Sequence, residues 1–350
     1  MKRQAWRLIR IAMLAATITI AGAGPAAAHQ GGVEPSNYRT EILSVKPDLS
    51  GVELRVIDLG DRLELRNDTE RDVFVIGYDD EPYLRIGPRG TFENRRSPAV
   101  YLNQTRDASD PIPEFADPER DPVWRRISDA PVARWHDHRA HWMGGTDPRT
   151  VQRAPDDRHL VQRFTIVLQA DGERVRVRGD VTWIPGPSPW PWVLGALAAG
   201  GVVVLVARSR AARVGAGTAL VALLGAQSVH IVTTMIDTTE PLATMFVPSL
   251  LAVGGLILAV VAIVMLLRQG LDAAAPFLLI AGLAVGITGG LADVLVLGHS
   301  QVPASGPAWI TRLAVSTALG VGAGLMIVGI IEVQRGAPGR RRTMPARSSP

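Results

Sequence analysis

Apolar and polar residues alternate with a period of two over much of the first half of the chain, which predicts β-strands with one buried face. The alternation is clearest over Glu53–Asp58 and Arg62–Arg66, and Asp72–Tyr78 is a more apolar run. Other strand-like runs are Thr40–Val45, Tyr83–Ile86, Val100–Asn103, Arg163–Gln169 and Arg174–Trp183. Turn sequences separate these short runs. The pattern therefore predicts an antiparallel β-sandwich of the immunoglobulin or cupredoxin type over residues 29–185.

The alternation breaks down between Gln104 and Asp157. This stretch is rich in proline and aspartate, and its length is unusual for a connection inside a compact domain. We expect it to be either a long ordered excursion from the β-domain or a partly mobile loop.

A different pattern begins near Pro189, where long apolar stretches rich in glycine and alanine replace the alternation. Each stretch is close to the roughly 20 residues that an α-helix needs to cross the hydrocarbon core of a bilayer. The stretches are Trp190–Ala207, Val214–Met235, Met245–Leu267, Pro276–Leu297 and Trp309–Ile331. They predict a five-helix transmembrane domain over residues 186–334, followed by a basic tail over residues 335–350.

The connections between these apolar stretches differ in charge, and the difference predicts their orientation. The first connection carries three arginines, the third carries Arg268, and the tail carries five arginines. The second connection carries Asp237 and Glu240 instead, and the fourth carries no charge. Because positively charged loops stay on the cytoplasmic side, we expect a cytoplasmic C-terminus and an extracytoplasmic β-domain.

The first 28 residues have the pattern of a cleavable signal peptide. Four basic residues precede an apolar run over Ile11–Ala23, and Ala26 and Ala28 are small residues of the kind that signal peptidase accepts. The alternative is an uncleaved anchor helix, for which the apolar run is short. Cleavage after Ala28 would agree with the orientation that the arginines predict.

The soluble part of the chain is acidic, although the whole chain is basic. The full sequence has a net charge of +4, whereas residues 29–185 contain 28 acidic and 23 basic residues and so carry −5. A nucleic-acid-binding domain would need a basic patch, and this composition argues against that class. The sequence has no cysteine, which excludes disulfides, thiolate metal sites and a cysteine nucleophile.

Three of the seven histidines lie within six residues, in the segment Arg134–Met143. His136 and His138 would point the same way in an extended segment, and a turn after them would bring His141 back toward them. Imidazole suits copper and zinc, and the thioether of Met143 adds a preference for Cu(I). The pattern predicts a copper site. The alternative is a loop that its flanking tryptophans anchor in the core.

The predicted cleavage would also make His29 the mature N-terminus. A terminal histidine chelates copper with both its α-amine and its ring nitrogen, so His29 is a further candidate ligand. The alternative is a frayed end, since chain termini are often poorly ordered.

The order of the domains resembles that of the copper-resistance proteins CopC and CopD, which are sometimes fused. In that family an exported β-sandwich that begins with histidine accompanies a multi-helix membrane domain. The resemblance covers most of the chain but is architectural, because His29 is followed by Gln-Gly-Gly where CopC-type domains have an Ala-x-Leu-type segment. It implies copper handling at the outer side of the membrane.

A closer resemblance, at the level of motifs, is to uncharacterised membrane-anchored proteins of GC-rich bacteria. Glu81–Arg85, Asn94–Pro98 and Arg134–Met143 carry this resemblance. It implies a common fold for the soluble domain and supplies no activity.

Three ionisable residues fall inside the predicted membrane spans, namely His230, Asp293 and Arg312. Such residues usually face the helix bundle and pair with one another, and all three are expected at a similar shallow depth below the outer surface. One interpretation is a structural Asp293–Arg312 pair, with His230 reaching toward the interface. The other is an ion or metal route, whose outer cap would consist of Asp237, His299, Met235 and Met245.

The sequence lacks the motifs of common enzyme classes, including H-E-x-x-H, G-x-S-x-G and a phosphate-binding glycine loop. Acidic groups such as Asp79, Asp80 and Glu81 are expected to lie in solvent-exposed loops rather than in a catalytic site. The leading hypothesis is a protein anchored in the lipid bilayer that binds copper at the cell surface. The alternatives are a non-metal interaction or assembly protein that docks another envelope protein, and an oxidative copper enzyme that uses His29.

Overall fold

The computed structural model of the protein describes residues 33–105, 108–237 and 246–336. A β-unit comprises Val33–Pro187 and His299–Pro303, and the described parts of a helical unit are residues 188–237, 246–298 and 304–336. The predicted signal peptide, His29 and nearly all of the predicted basic tail lie outside the described residues.

Ten strands form the β-unit in the part of the chain that the structure describes. They are β1 (Tyr38–Lys46), β2 (Val52–Ile57), β3 (Arg62–Asn67), β4 (Val73–Ile76), β5 (Pro82–Gly87), β6 (Gly90–Asn94), β7 (Trp124–Ser128), β8 (Val132–His136), β9 (His159–Ala170) and β10 (Glu173–Trp183). One sheet has seven strands in the order β1-β10-β9-β4-β5-β6-β7, and the other has the order β2-β3-β8. Neighbouring strands pair antiparallel, so the prediction of an antiparallel all-β region is confirmed.

The two sheets share one apolar core. Leu63 and Leu65 of β3 and Ile86, Ile166 and Leu168 of the larger sheet are each at most 1% exposed. Along β9, buried residues alternate with more exposed ones, as expected for strands that present one face to a core. Burial of this shared apolar surface is the main force that holds the sheets together.

The prediction of a strand at Val100–Asn103 is wrong. The structure has a one-turn helix there, α1 (Ala99–Leu102), which begins directly after Pro98. Proline is compatible with the start of a helix, and the Ser97 hydroxyl accepts a hydrogen bond from the backbone N–H of Ala99 (3.2 Å). The first residues of this helix are buried, so the apolar run reflects core packing rather than strand periodicity.

The stretch between Gln104 and Asp157 contains regular elements that the sequence pattern did not predict. These are β7, β8 and a short helix, α2 (Arg149–Arg153). β8 pairs with β3 and so brings the start of the Arg134–Met143 segment into the smaller sheet. The described part of this stretch is therefore an ordered excursion that completes both sheets.

Five helices form the described part of the helical unit: α3 (Trp190–Val206), α4 (Ala212–Asp237), α5 (Phe246–Gln269), α6 (Leu271–Val285) and α7 (Ala308–Gly336). Four helical segments are long and apolar enough to cross a membrane, at residues 212–236, 252–269, 271–291 and 308–336. α3 has 17 residues and is shorter than these four. The structure therefore confirms four of the five predicted spans as candidates, with shifted bounds.

The fourth predicted span ends earlier than its apolar pattern indicates. α6 continues as a π-helical turn over Gly286–Leu291, and a 3-10 turn follows over Val294–Leu297. Asp293 lies between the two turns, with φ −107° and ψ 17°. The prediction that Asp293 lies within a continuous helix is therefore wrong. Three glycines in the π-helical turn, Gly286, Gly289 and Gly290, weaken the local preference for a regular helix.

Glycines let the helices approach one another closely. A Cβ atom added at Gly320 of α7 would lie 2.1 Å from the carbonyl oxygen of Ala196 in α3. A Cβ atom at Gly282 of α6 would lie 2.4 Å from the carbonyl oxygen of Gly322 in α7. Such contacts are typical of helices packed in membranes, and they explain why the apolar stretches are rich in glycine.

Candidate functional site

A buried carboxylate organises the histidine-rich segment of the β-unit. The side chain of Asp137, the residue after β8, is 0% exposed. Its Oδ1 accepts hydrogen bonds from Nε of Arg139 (2.8 Å) and from the Arg139 backbone N–H (3.2 Å). Its Oδ2 accepts from Nη2 of Arg139 (2.8 Å) and from Nε1 of Trp135 (3.1 Å). This two-pronged ion pair fixes the turn, because a buried carboxylate needs both charge and hydrogen-bond partners.

The guanidinium of Arg139 ties this turn to the larger sheet. It lies 4.8 Å from the ring centroid of Tyr78 and donates to the carbonyl oxygens of Ile76 (3.3 Å) and Gly77 (3.4 Å). Burial acts to lower the pKa of Arg139, but the hydrogen bonds and charge of Asp137 outweigh it and raise that pKa. The ion pair with Asp137 therefore favours the charged form of Arg139.

Two of the three clustered histidines are in contact. The ring centroids of His138 and His141 lie 5.4 Å apart, with the rings nearly perpendicular at 89°. Nε2 of His138 lies 3.0 Å from the carbonyl oxygen of Thr105. Because a carbonyl oxygen only accepts hydrogen bonds, Nε2 carries the proton, and Nδ1 of a neutral His138 keeps its lone pair. His141 is 4% exposed, and its backbone carbonyl accepts a hydrogen bond from Gln162 (3.1 Å).

The other predicted ligands have different surroundings. Nδ1 of His136, at the end of β8, lies 2.8 Å from the carbonyl oxygen of Asp61 and 3.3 Å from its Oδ2. Met143 is 40% exposed. Within residues 33–105, 108–237 and 246–336, no three His, Asp or Glu side chains form a group suited to a metal ion. The structure thus brings His138 and His141 together, and His29 lies outside the described residues.

A second buried carboxylate connects two of the motifs that carry the resemblance to membrane-anchored proteins. Glu81 is 2% exposed and accepts hydrogen bonds from the Ser97 hydroxyl and from the backbone N–H of Asp79 (2.9 Å). Asn94 donates to the carbonyl oxygen of Pro82 (2.8 Å). The expectation that Glu81 is solvent-exposed is wrong, because the turn after β4 folds its carboxylate inward. These motifs therefore have structural roles in the β-unit.

In the helical unit, His230 of α4 and Asp293 form a buried pair. Nε2 of His230 lies 2.8 Å from Oδ2 of Asp293, and the two side chains are 4% and 9% exposed. An ionised carboxylate only accepts hydrogen bonds, so Nε2 of His230 carries the proton. The interpretation in which His230 reaches toward the interface is therefore wrong, since its ring faces the helix bundle.

Arg312 contacts the irregular backbone beside this pair. Its Nε donates a hydrogen bond to the carbonyl oxygen of Val296 in the 3-10 turn (3.0 Å). The contact satisfies a backbone group that a continuous helix would have bonded internally. An Asp293–Arg312 pair stays a prediction. The ion route also stays a prediction, and Met245 and the side chain of Asp237 lie outside the described residues.

Sequence reasoning missed two polar residues on the same face of α4. Gln227 is 0% exposed and Thr234 is 7% exposed. Neither the amide of Gln227 nor the hydroxyl of Thr234 has a hydrogen-bond partner among the described residues. The amide oxygen of Gln227 lies 1.7 Å from where a Cβ atom would be at Gly289, so only glycine leaves room for it. Gln227 lies three residues before His230 and Thr234 lies four residues after it. This helical spacing is the sequence signal that could have identified them.

Comparison with known proteins assigns no family to the chain. No protein-family model matches it, and neither a curated protein nor a solved structure does. The resemblances based on motifs and domain order therefore stay predictions, and function has to be argued from the geometry of each unit.

Proposed function

We propose that the protein is a membrane-anchored copper-binding protein that carries its β-unit on the outer side of the membrane. The observation that supports this most directly is the contact between His138 and His141, whose ring centroids lie 5.4 Å apart. Bonds from imidazole nitrogen to a first-row metal ion such as zinc are about 2.0–2.1 Å long. Two rings at this separation are therefore close enough to bind one ion between them.

The surroundings of the two histidines support a prearranged site. The Asp137–Arg139 ion pair fixes the backbone turn that leads from His138 to His141. The two side chains therefore need little rearrangement when a metal binds. Nε2 of His138 donates a hydrogen bond to the carbonyl oxygen of Thr105. Metal-binding histidines commonly make such a contact with their second nitrogen, which orients the first toward the metal.

Further donors complete the proposed site. The thioether of Met143 and the N-terminal amine and ring of His29 are the candidates, and imidazole together with thioether favours copper over harder metals. His136 is the least suited of the predicted ligands, because its ring contacts Asp61, whereas the rings of His138 and His141 contact each other.

Membrane topology is part of the same proposal. We assign α3 as a fifth span, since 17 residues are at the short end of the range that crosses a bilayer. The arginines that follow α3 favour a cytoplasmic C-terminus and an outward-facing β-unit. We assign this β-unit to the immunoglobulin or cupredoxin type on the basis of its two antiparallel sheets around one core. A reporter enzyme fused to the C-terminus should be active only in the cytoplasm. Activity on the outer side would contradict the assignment.

Metal analysis of the full chain tests the copper site. Purified wild-type protein, incubated with copper and dialysed, should retain about one copper ion per chain. A His138→Ala, His141→Ala double variant should retain none. His159→Ala is the matched control, because Nε2 of His159 contacts the carbonyl oxygen of Ala154 outside the histidine-rich segment. Affinity should also fall as the pH drops through about 6.5, since protonated imidazole cannot bind a metal.

Two results would contradict the copper proposal. One is a folded wild-type protein with a processed N-terminus that retains no copper, and the other is a double variant that retains as much as the wild type. In either case the turn at Asp137 only stabilises the fold. The better hypothesis for the function is then an interaction or assembly protein. One residue added before His29 tests the terminal amine, because only a ligating amine would make this addition weaken binding.

A further inference from the structure

An irregular stretch of backbone interrupts the apolar segment that begins with α6. The π-helical turn Gly286–Leu291 closes with a hydrogen bond from the N–H of Ala292 to the carbonyl oxygen of Ile287 (2.9 Å). π-helical turns occur frequently at functional sites. At membrane depth, irregular backbone is tolerated only where protein surrounds it or where it lines a cavity. Asp293 lies between this turn and the following 3-10 turn, so the carboxylate sits at the interruption.

The polar face of α4 meets the interruption. His230 bonds to Asp293 through Nε2 at 2.8 Å, and the amide oxygen of Gln227 fills the space that a side chain at Gly289 would occupy. Thr234 lies one helical turn beyond His230 on the same face. Two elements that are distant in sequence therefore contribute polar groups to one buried region.

Several of these groups have no hydrogen-bond partner among the described residues. They are Nδ1 of His230, both amide atoms of Gln227 and the hydroxyl of Thr234. All three residues are more than nine-tenths buried. Unsatisfied polar groups are costly in an apolar environment, and several of them around one ionisable pair indicate a site that takes up a ligand.

We propose that His230, Asp293 and Gln227 form a proton-binding site inside the helical unit, with Nδ1 of His230 as the atom that takes up the proton. In the neutral ring, Nε2–H is donated to Asp293 and Nδ1 keeps a lone pair. When a hydronium ion delivers the proton, one of its O–H bonds breaks, an N–H bond forms at Nδ1 and a neutral water molecule is released. The charge of the resulting imidazolium is balanced by the Asp293 carboxylate. The Gln227 amide oxygen and the Thr234 hydroxyl are acceptors for the new N–H or for the hydronium ion that delivers the proton.

The donor set favours a proton over a metal ion. No group of three or more His, Asp and Glu side chains suited to a metal occurs in the described part of the chain, and His230 already occupies one oxygen of the carboxylate. The other charged group near the pair is Arg312, which is anchored at the carbonyl oxygen of Val296. α3 has no ionisable residue, and those of α5 and α6 are Arg268 and Asp272 at their far ends.

Nuclear magnetic resonance of the histidine rings tests this inference. The full chain, labelled with ¹⁵N-histidine and reconstituted in lipid nanodiscs, is compared with a His230→Gln variant to assign the His230 signal. In the folded wild type, that signal should convert reversibly between the neutral and the doubly protonated form as the pH is lowered. Asp293→Asn should alter the pH at which this change occurs, because the imidazolium loses its negative partner.

A matched pair of threonine variants separates a proton site from general packing. Thr234→Val removes the buried hydroxyl one helical turn from His230 on the same face of α4, and it should shift the His230 titration. Thr233→Val removes a neighbouring hydroxyl that donates to the carbonyl oxygens of Val229 (2.9 Å) and His230 (3.1 Å), and it should leave the titration unchanged. These variants and Asp293→Asn keep the test valid if His230→Gln fails to fold.

Three outcomes would overturn the proposal. The first is a His230 ring that keeps one protonation state as the pH is lowered in the folded protein. The second is an equal effect of Thr234→Val and Thr233→Val. The third is stoichiometric zinc or copper that purifies with the wild type and is lost in His230→Gln, which would identify a metal site. The β-unit copper variants do not alter the helical unit, so this test is independent of the proposed copper function.

Discussion

Replacing Asp137 by asparagine should destabilise the β-unit strongly. Asparagine keeps the shape of the side chain but removes the negative charge that Arg139 faces. It also places an amide NH₂ against two donors. These are Nη2 of Arg139 and Nε1 of Trp135 if the NH₂ replaces Oδ2, or Nε and the backbone N–H of Arg139 if it replaces Oδ1. Since the Asp137 side chain is fully buried, water cannot replace the lost acceptor. The guanidinium of Arg139 is then left without its counter-charge at a mostly buried position.

The size of the effect follows from this geometry. Removing one partner of a buried, hydrogen-bonded ion pair typically costs about 3–5 kcal/mol, a large part of the roughly 5–15 kcal/mol that stabilises a domain. Asp129→Asn is the matched control. Asp129 also pairs with an arginine, Arg126, at 2.9 Å, but its side chain is 90% exposed. An exposed pair of this kind contributes about 0–1 kcal/mol.

Pulse proteolysis of the full chain over a urea series measures the unfolding of the β-unit. The midpoint for Asp137→Asn should fall well below that of the wild type, whereas Asp129→Asn should change it little. An Asp137→Asn, Arg139→Met double variant should recover part of the loss, because the uncompensated charge is gone. The reasoning is refuted if Asp137→Asn and Asp129→Asn lower the midpoint equally.

Two more predictions concern an acidic side chain in the smaller sheet and a helix contact. Burial acts to raise the pKa of Glu64, but hydrogen bonds and charge from Arg134 and Arg55 outweigh it and hold the pKa below its ordinary value of 4.5. Ionised Glu64 therefore contributes its full stabilisation of the β-unit above about pH 4.5, the ordinary pKa of a glutamate. This contribution is lost as the pH falls through the lower pKa of the folded protein. The difference in urea midpoint between wild type and Glu64→Gln should shrink from pH 7 to about pH 3, and a difference that does not vary with pH would contradict this. Gly320→Ala should destabilise the helical unit by about 1–3 kcal/mol in detergent melting experiments, because its Cβ atom would meet the backbone of Ala196. Gly225→Ala, where the added atom meets nothing within 4 Å, should be neutral or slightly stabilising, and equal losses in the two variants would refute the close-contact argument.

Local patterns predicted the strands that lie between water and the core. The alternation over Glu53–Asp58 and Arg62–Arg66 matches β2 and β3 within a residue at each end, because the apolar residues of each strand pack against the core and the charged residues lie on the opposite face. Val100–Asn103 was assigned wrongly, since a short apolar run has no period that separates a strand from a buried helical turn. β7 and β8 were missed because proline and aspartate dominate the stretch that contains them.

Sequence by itself determined which parts of this chain enter an apolar environment, because the length and composition of a segment decide whether burying it is favourable. It also identified His138, His141, His230 and Asp293 as chemically interesting residues. Only the tertiary structure decided their partners. Contacts between residues far apart in sequence, such as His230 with Asp293 and Gln227 with Gly289, depend on how helices pack, and no local period encodes them.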